Sequence, residues 1–129
     1  SYDGETGALA ILEKHSTIPA DAEAKGSTAE CLVHPSGKWV YVSNRGHDSI
    51  AAYAIDQATG KLTSIDFEST QGKTPRGFGI DPTGNFLIAG NQNSGNVAVL
   101  RINQADGTLE STGHGAKIDM AVSVKFFTR

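Results

Sequence analysis

Two arginines and a glutamate stand at the ends of apolar runs. Arg45 closes Trp39-Val40-Tyr41-Val42-Ser43-Asn44, Arg76 precedes Gly77-Phe78-Gly79-Ile80, and Glu30 opens Glu30-Cys31-Leu32-Val33. A guanidinium is a planar fork that grips phosphate or carboxylate at two points, so arginines so placed can hold an anionic ligand. A carboxylate near them can act as general acid or base. Each residue also has a plainer reading. The arginines can form structural ion pairs, and Glu30 can be a solvated carboxylate at a strand end.

Asn44, Asn91 and Gln92 occupy matching turns. Their amides can orient a ligand or a water, or can tie down the turn backbone. His34 beside Pro35 is replaced one repeat later by Asp81, which argues for a turn role. His15, His47 and His114 lie in polar contexts without metal-ligand spacing, so neither a metal nor a cofactor is expected. Asp3, Asp56 and Asn103 precede Thr6-Gly7, Thr59-Gly60 and Asp106-Gly107 and read as turn formers. Gly113-His114-Gly115-Ala116-Lys117 lacks the spacing of a phosphate loop. Cys31, the one cysteine, reads as a small core residue.

The elements that position these residues come from a repeat. His34-Pro35-Ser36-Gly37 aligns with Asp81-Pro82-Thr83-Gly84 at an offset of 47. The same offset carries Asn44 to Asn91, Ile50 to Val97, Ile55 to Ile102, Gly60 to Gly107 and Leu62 to Leu109. At an offset of 53, Tyr2 to Leu9 parallels Ile55 to Leu62, the loop Ile18 to Ser27 being longer than Ser69 to Thr74.

Each unit reads as four short strands, in the first full unit near Glu30 to Val33, Trp39 to Ser43, Ser49 to Ile55 and Leu62 to Glu68. Polarity rises from inner to outer strands, the order expected within a propeller blade. Ala20 to Lys25, between Pro19 and Gly26, reads as a loop with at most one helical turn. A period near 47 with four strands per unit predicts an all-β fold of antiparallel β-propeller blades; a β-sandwich is the alternative, but needs no repeat at a fixed offset.

The expected parts are an outer hairpin at 1–17, full blades at 28–70 and 75–113, and a closing strand at 119–127. Propellers take about 4 to 8 blades. An open stack would expose apolar faces. Further blades are therefore expected, from the same protein or from another chain.

Composition narrows the partners. An apolar share of 38% and a formal net charge of −3 suit a globular domain, and the scattered basic residues argue against nucleic acid. No apolar run approaches the roughly 20 residues that span a bilayer, so no membrane partner is expected. A cytoplasmic location is the expectation.

His34 to Gly46 resembles the "HPxGxxLYVSNRG" signature of the propeller-type 6-phosphogluconolactonase family. Thr74 to Gly84 resembles its "TPRxFxIDPTG" stretch, Gly90 to Ser94 its "xNQxS" turn, and Val122 to Phe126 its closing strand. The resemblance covers essentially the whole chain and implies the C-terminal part of a seven-bladed ring. It implies hydrolysis of 6-phosphogluconolactone, a small anionic sugar-phosphate lactone. Glu30 and Arg76 are then the catalytic candidates, and Arg45, Asn44, Asn91 and Gln92 the substrate-binding ones. Muconate-type lactonising cycloisomerases share the scaffold, and a propeller that binds without catalysis is a third reading.

Overall fold

The computed structural model describes residues 1–23 and 25–127. Eight strands form two four-stranded antiparallel sheets, each in sequential order. The first blade comprises β1 (Ser27–Val33), β2 (Trp39–Arg45), β3 (Ser49–Ile55) and β4 (Leu62–Ser69). The second comprises β5 (Pro75–Ile80), β6 (Phe86–Asn91), β7 (Asn96–Ile102) and β8 (Leu109–Lys117). The repeat therefore folds as the sequence predicts, with β1 starting earlier than Glu30 and β8 running past 113. Residues 20–23 and 25 form no helix, and Ala24 lies outside the described residues. Among the described residues, no helix is long and apolar enough to cross a membrane.

The 47-residue offset holds down to the register. Thr28 pairs with Asn44 and Cys31 with Val42; one repeat later Pro75 pairs with Asn91 and Phe78 with Ala89. In both inner ladders the two residues between these pairs stand opposite one, which is a β-bulge.

Strand alternation sends Trp39, Tyr41, Ile50 and Ala52 of the first blade toward Phe78, Leu87, Ala89, Leu100, Ile102 and Leu109 of the second, in one buried cluster. The opposite face of the first blade gathers Val40, Ala51 and Tyr53 into a smaller cluster. The N-terminal segment lies against that face. Glu13 accepts the Leu62 N–H at 2.6 Å, His15 meets the Tyr53 ring edge-on, and the Tyr53 hydroxyl donates to the Ser16 carbonyl. Before it, Tyr2 and Leu9 form a single bridge of the expected hairpin.

Polar ties lock the two blades together. The Tyr41 hydroxyl donates to the Gly107 carbonyl at 2.9 Å. Burial, with the Asp106 and Asp66 carboxylates nearby, pushes the Tyr41 phenol far above its usual range, so it remains a donor. His34 is buried with its ring edge on Trp39. Its Nδ1 accepts the Ser36 N–H at 3.1 Å, which leaves Nε2 to donate to the Gly84 carbonyl at 2.9 Å. Asp81 takes over the local part of this role, accepting the Thr83 N–H. At the outer edge Asp66 accepts the Leu109 N–H at 3.1 Å.

One expectation changes. Cys31 is exposed rather than buried, because it faces the side of the first blade where residues 1–17 cover β3 and β4 but not the inner strand. For the same reason β1, although innermost, is more exposed than β2 and β3, so exposure does not rise steadily outward as polarity does. Residues 120–127 form no ladder with any described strand. They run across the face of the second blade that is turned away from the first, with the Val122 carbonyl against Gly77 and Val124 against Gly79. A strand is defined by its hydrogen-bonded partner, and this segment has packing without one.

Candidate functional site

The two bulges are what bring the candidate residues to one end of the inner strands. In β1 the bulged pair is Ala29-Glu30, opposite Ser43; in β5 it is Arg76-Gly77, opposite Gly90. An extra residue bends the strand and re-aims the side chains there. The β1 bulge is held by a side chain, since the buried Ser43 hydroxyl accepts the Glu30 N–H at 3.0 Å. The β5 bulge has glycines at both matching positions, and a Cβ on Gly77 would lie 2.5 Å from the Val122 carbonyl oxygen. That direction points to the layer following the second blade. By the same register, Glu30 points to the layer following the first, which is the second blade. Glu30 is partly exposed, and among the described residues its carboxylate has no hydrogen-bond or ion-pair partner.

Arg45 and Arg76 stand at this same end. Arg45 pairs with Ser27 at the last rung of the ladder, and its Nη2 donates to Ser27 Oγ at 2.7 Å and to the Thr28 carbonyl at 3.1 Å. Its Nε is buried without a partner among the described residues. The guanidinium is thus oriented through one nitrogen and keeps donor capacity. Arg76 is exposed, and its Nη1 donates to Gln92 Oε1 at 3.3 Å. Neither arginine makes an ion pair with a carboxylate among the described residues.

Gln92 occupies the position of Arg45 one repeat on. In each blade a residue at or just past the end of the second strand therefore reaches back to the start of the first. Gln92 does so toward Arg76, and its own N–H donates to the Thr74 carbonyl at 3.0 Å. Glu30, Arg45, Arg76 and Gln92 form one polar rim at the ends of the inner strands.

Asn44 and Asn91 do not join that rim. Both are fully buried, so neither meets a ligand directly in this conformation. The Asn44 amide donates to the Thr17 carbonyl, and the Asn91 amide donates to the Thr70 carbonyl at 2.8 Å. Thr17 and Thr70 are themselves 53 residues apart, the offset of the outer hairpin repeat. Each asparagine therefore ties the exit of one blade to the turn of the next. Each also leaves its Oδ1 buried without a protein partner.

Two neighbours complete the picture. Partial desolvation and the Glu30 carboxylate push the Cys31 thiol up. Asp48, not singled out from the sequence, sits in the turn after Arg45 and accepts the Thr74 N–H at 2.8 Å. The signal for it was available, because the repeat places a glycine, Gly95, at its position.

This architecture is shared widely. Residues 1–126 match the family described as lactonase, 7-bladed β-propeller. A Lactobacillus plantarum protein of known structure superposes with a TM-score of 0.92 at 36% identity, covering 98% of this chain and 37% of that one. The Pseudomonas aeruginosa periplasmic gluconolactonase gives a TM-score of 0.85 at 28% identity, over 92% of this chain and 33% of that one. In sequence, the 6-phosphogluconolactonase of Bacillus subtilis is 37% identical over 81 residues, 63% of this chain and 23% of that protein. The chain spans 23–24% of the length of the first relatives it matches. On this match and on its own two blades, the chain belongs to the seven-bladed β-propeller lactonase family.

Proposed function

We propose that this chain is the C-terminal part of a lactonase that hydrolyses 6-phosphogluconolactone to 6-phosphogluconate. The observation that carries the reading is the pair of equivalent bulges. They bring a carboxylate, Glu30, and a cation, Arg76, neither ion-paired among the described residues, to the same end of adjacent inner strands. Relatives named 6-phosphogluconolactonase support the substrate.

In this reading Glu30 takes a proton from the attacking water as its oxygen bonds to the lactone carbonyl carbon. The ring ester C–O bond then breaks, and the proton passes to the leaving hydroxyl. Arg76 and Arg45 grip the anionic groups of the substrate, with Gln92 holding the Arg76 fork in place. The exposed apolar side chains at both ends of the stack, Ile11, Leu12 and Val33 on one side and Val122 and Phe127 on the other, fit further blades that complete the ring. The cytoplasm is the location proposed for it.

The test is the hydrolysis rate of freshly prepared 6-phosphogluconolactone by the complete ring, against the buffer rate. Glu30→Gln lowers kcat by about 10²–10⁴, the usual contribution of a positioned acid or base. Arg76→Ala acts chiefly on KM. Parental kinetics in both variants would reject the site, and no hydrolysis above buffer would reject the activity.

A further inference from the structure

Arg76 is only as well placed as the segment that leads to it, and that segment is unusually constrained. Three non-glycine residues with positive φ gather where the first blade hands over to the second: Asp48 at 58°, Gln71 at 55° and Thr74 at 61°. Thr74 is the notable one. A β-branched side chain crowds its own backbone in this region, and such a conformation persists only where the surroundings over-determine it.

Ser94 and Asn93 hold the Lys73 backbone, through the Lys73 N–H and carbonyl, and the Thr74 N–H is held by Asp48. Asp48 Oδ1 accepts the Thr74 N–H at 2.8 Å and the Gly46 N–H at 3.2 Å. Its backbone carbonyl accepts the Thr70 N–H at 3.0 Å and the Thr70 hydroxyl at 2.9 Å. Its Oδ2 pairs with Lys73 Nζ at 3.3 Å, but the Lys73 side chain is 74% exposed, so that pair adds little. The Asp48 side chain is only 13% exposed. From the other side, the Thr74 carbonyl is held by the N–H of Gln92, the residue whose side chain accepts from Arg76. Between Thr74 and Arg76 stands only Pro75, buried and fixed in φ. One rigid residue separates the clamp from the Arg76 backbone.

The repeat supplies the control. One unit later the same turn is made by Gly95 at a φ of 63°, and its N–H bonds to Asn91 as that of Asp48 bonds to Asn44. The turn therefore does not need a carboxylate. Glycine would satisfy it, and the aspartate is present for what it grips.

We propose that Asp48 is a positioning residue for Arg76, fixing the guanidinium through Thr74 and so setting affinity for the anionic group of the substrate. The inference rests on the reading that Arg76 holds that group. In the complete protein assayed with 6-phosphogluconolactone, Asp48→Gly keeps the backbone conformation but removes the acceptor. It raises KM about tenfold, the scale of one charge-assisted hydrogen bond, while kcat stays near parental. Asp48→Asn restores KM, since its Oδ1 still accepts and asparagine tolerates positive φ.

The deciding measurement is the double variant. Asp48→Gly combined with Arg76→Ala has the KM of Arg76→Ala alone, because the first change acts only through the second residue. Parental KM in Asp48→Gly, or effects that multiply in the double variant, would overturn the positioning role while leaving the anion-binding reading intact. Parental KM in Arg76→Ala would overturn both. Should Asp48→Gly fail to fold, Thr74→Gly replaces it, since it retains the required φ at no steric cost yet frees the segment to leave it. The same KM-selective loss is expected, and parental KM there overturns the proposal.

Discussion

Gly107 and Gly60 are the same residue in successive repeats, yet replacing each by alanine has very different consequences. Both lie at positive φ, 80° and 72°. An alanine at residue 60 meets nothing within 4 Å. It bears only the left-handed backbone cost of about 1–2 kcal/mol, partly offset by a stiffer unfolded chain. An alanine at residue 107 would place its Cβ 2.5–2.6 Å from Cδ1, Cγ and Nε1 of Trp39. Trp39 cannot yield, because it is 5% exposed and wedged against the His34 ring, whose centroid lies 4.9 Å away. Overpacking of this kind adds about 1–3 kcal/mol. Gly107→Ala should therefore be destabilised beyond Gly60→Ala by about that amount. Urea unfolding measures the difference as a shift in midpoint at unchanged slope, with Trp39, the single tryptophan, as the fluorescent reporter. Equal midpoints for the two variants would mean that Gly107 does not press on Trp39, and the packing of the two blades as described would be wrong.

Tyr41→Phe removes the hydroxyl that donates to the Gly107 carbonyl and strands a buried acceptor, for a loss of about 1–3 kcal/mol in the same unfolding assay. Ser43→Ala releases the Glu30 N–H at the β1 bulge, and its expected signature is a fall in kcat with little change in KM. The hairpin carboxylate Asp56 is held below its usual value by the Thr59 hydroxyl and the Thr59 and Ala58 N–H groups. Such a group stabilises the fold above its unfolded value of 3.8 and loses that contribution as pH falls through the lower folded value. Asp56→Asn keeps the acceptor, as Asn103 does one repeat on, so urea midpoints should match the parent at neutral pH and depend less on pH below about 4.

The blades were legible because the repeat is ungapped over its landmarks, and a fixed offset constrains register as well as strand order. The bulges were not legible. Nothing in Ala29-Glu30 or Arg76-Gly77 marks an extra residue, since a bulge is a relation between two strands and is invisible in either one. The arginines were found, but not the difference between them, because that depends on which strand start lies across the ladder: Ser27 and Thr28 for Arg45, and the Gln92 amide for Arg76. For Asn44 and Asn91 the loop-tying role emerged only from the structure, where their amides reach the Thr17 and Thr70 carbonyls. Cys31 misled because burial belongs to whatever stands opposite, and its short apolar run says nothing of that. The extended path of residues 120–127 was foreshadowed by Gly77, Gly79 and Gly90. Glycines on one strand face signal another backbone passing close by, and all three lie under that segment.

A protein with internal repeats contains its own comparison, and the comparison separates architecture from site. Where the two copies agree, the shared residue performs the same structural act twice: Asn44 and Asn91 tie loops, while Gly60 and Gly107 close hairpins. Where they differ in type but not in act, as with His34 and Asp81, the local bond survives the change. A third class differs in the chemistry it presents: Ala29 against Arg76, Glu30 against Gly77, Ser43 against Gly90, Arg45 against Gln92, and Asp48 against Gly95. These five pairs are separated in sequence but not in space, for all lie at the bulged end of the inner strands or in the turn that follows. Architecture alone would allow the smaller member in either blade, because each backbone position is built both ways within one chain. The charged members are therefore the candidates for work beyond the blade. Their concentration at a single end is the strongest reason to look for the ligand there rather than on the flanks of the sheets.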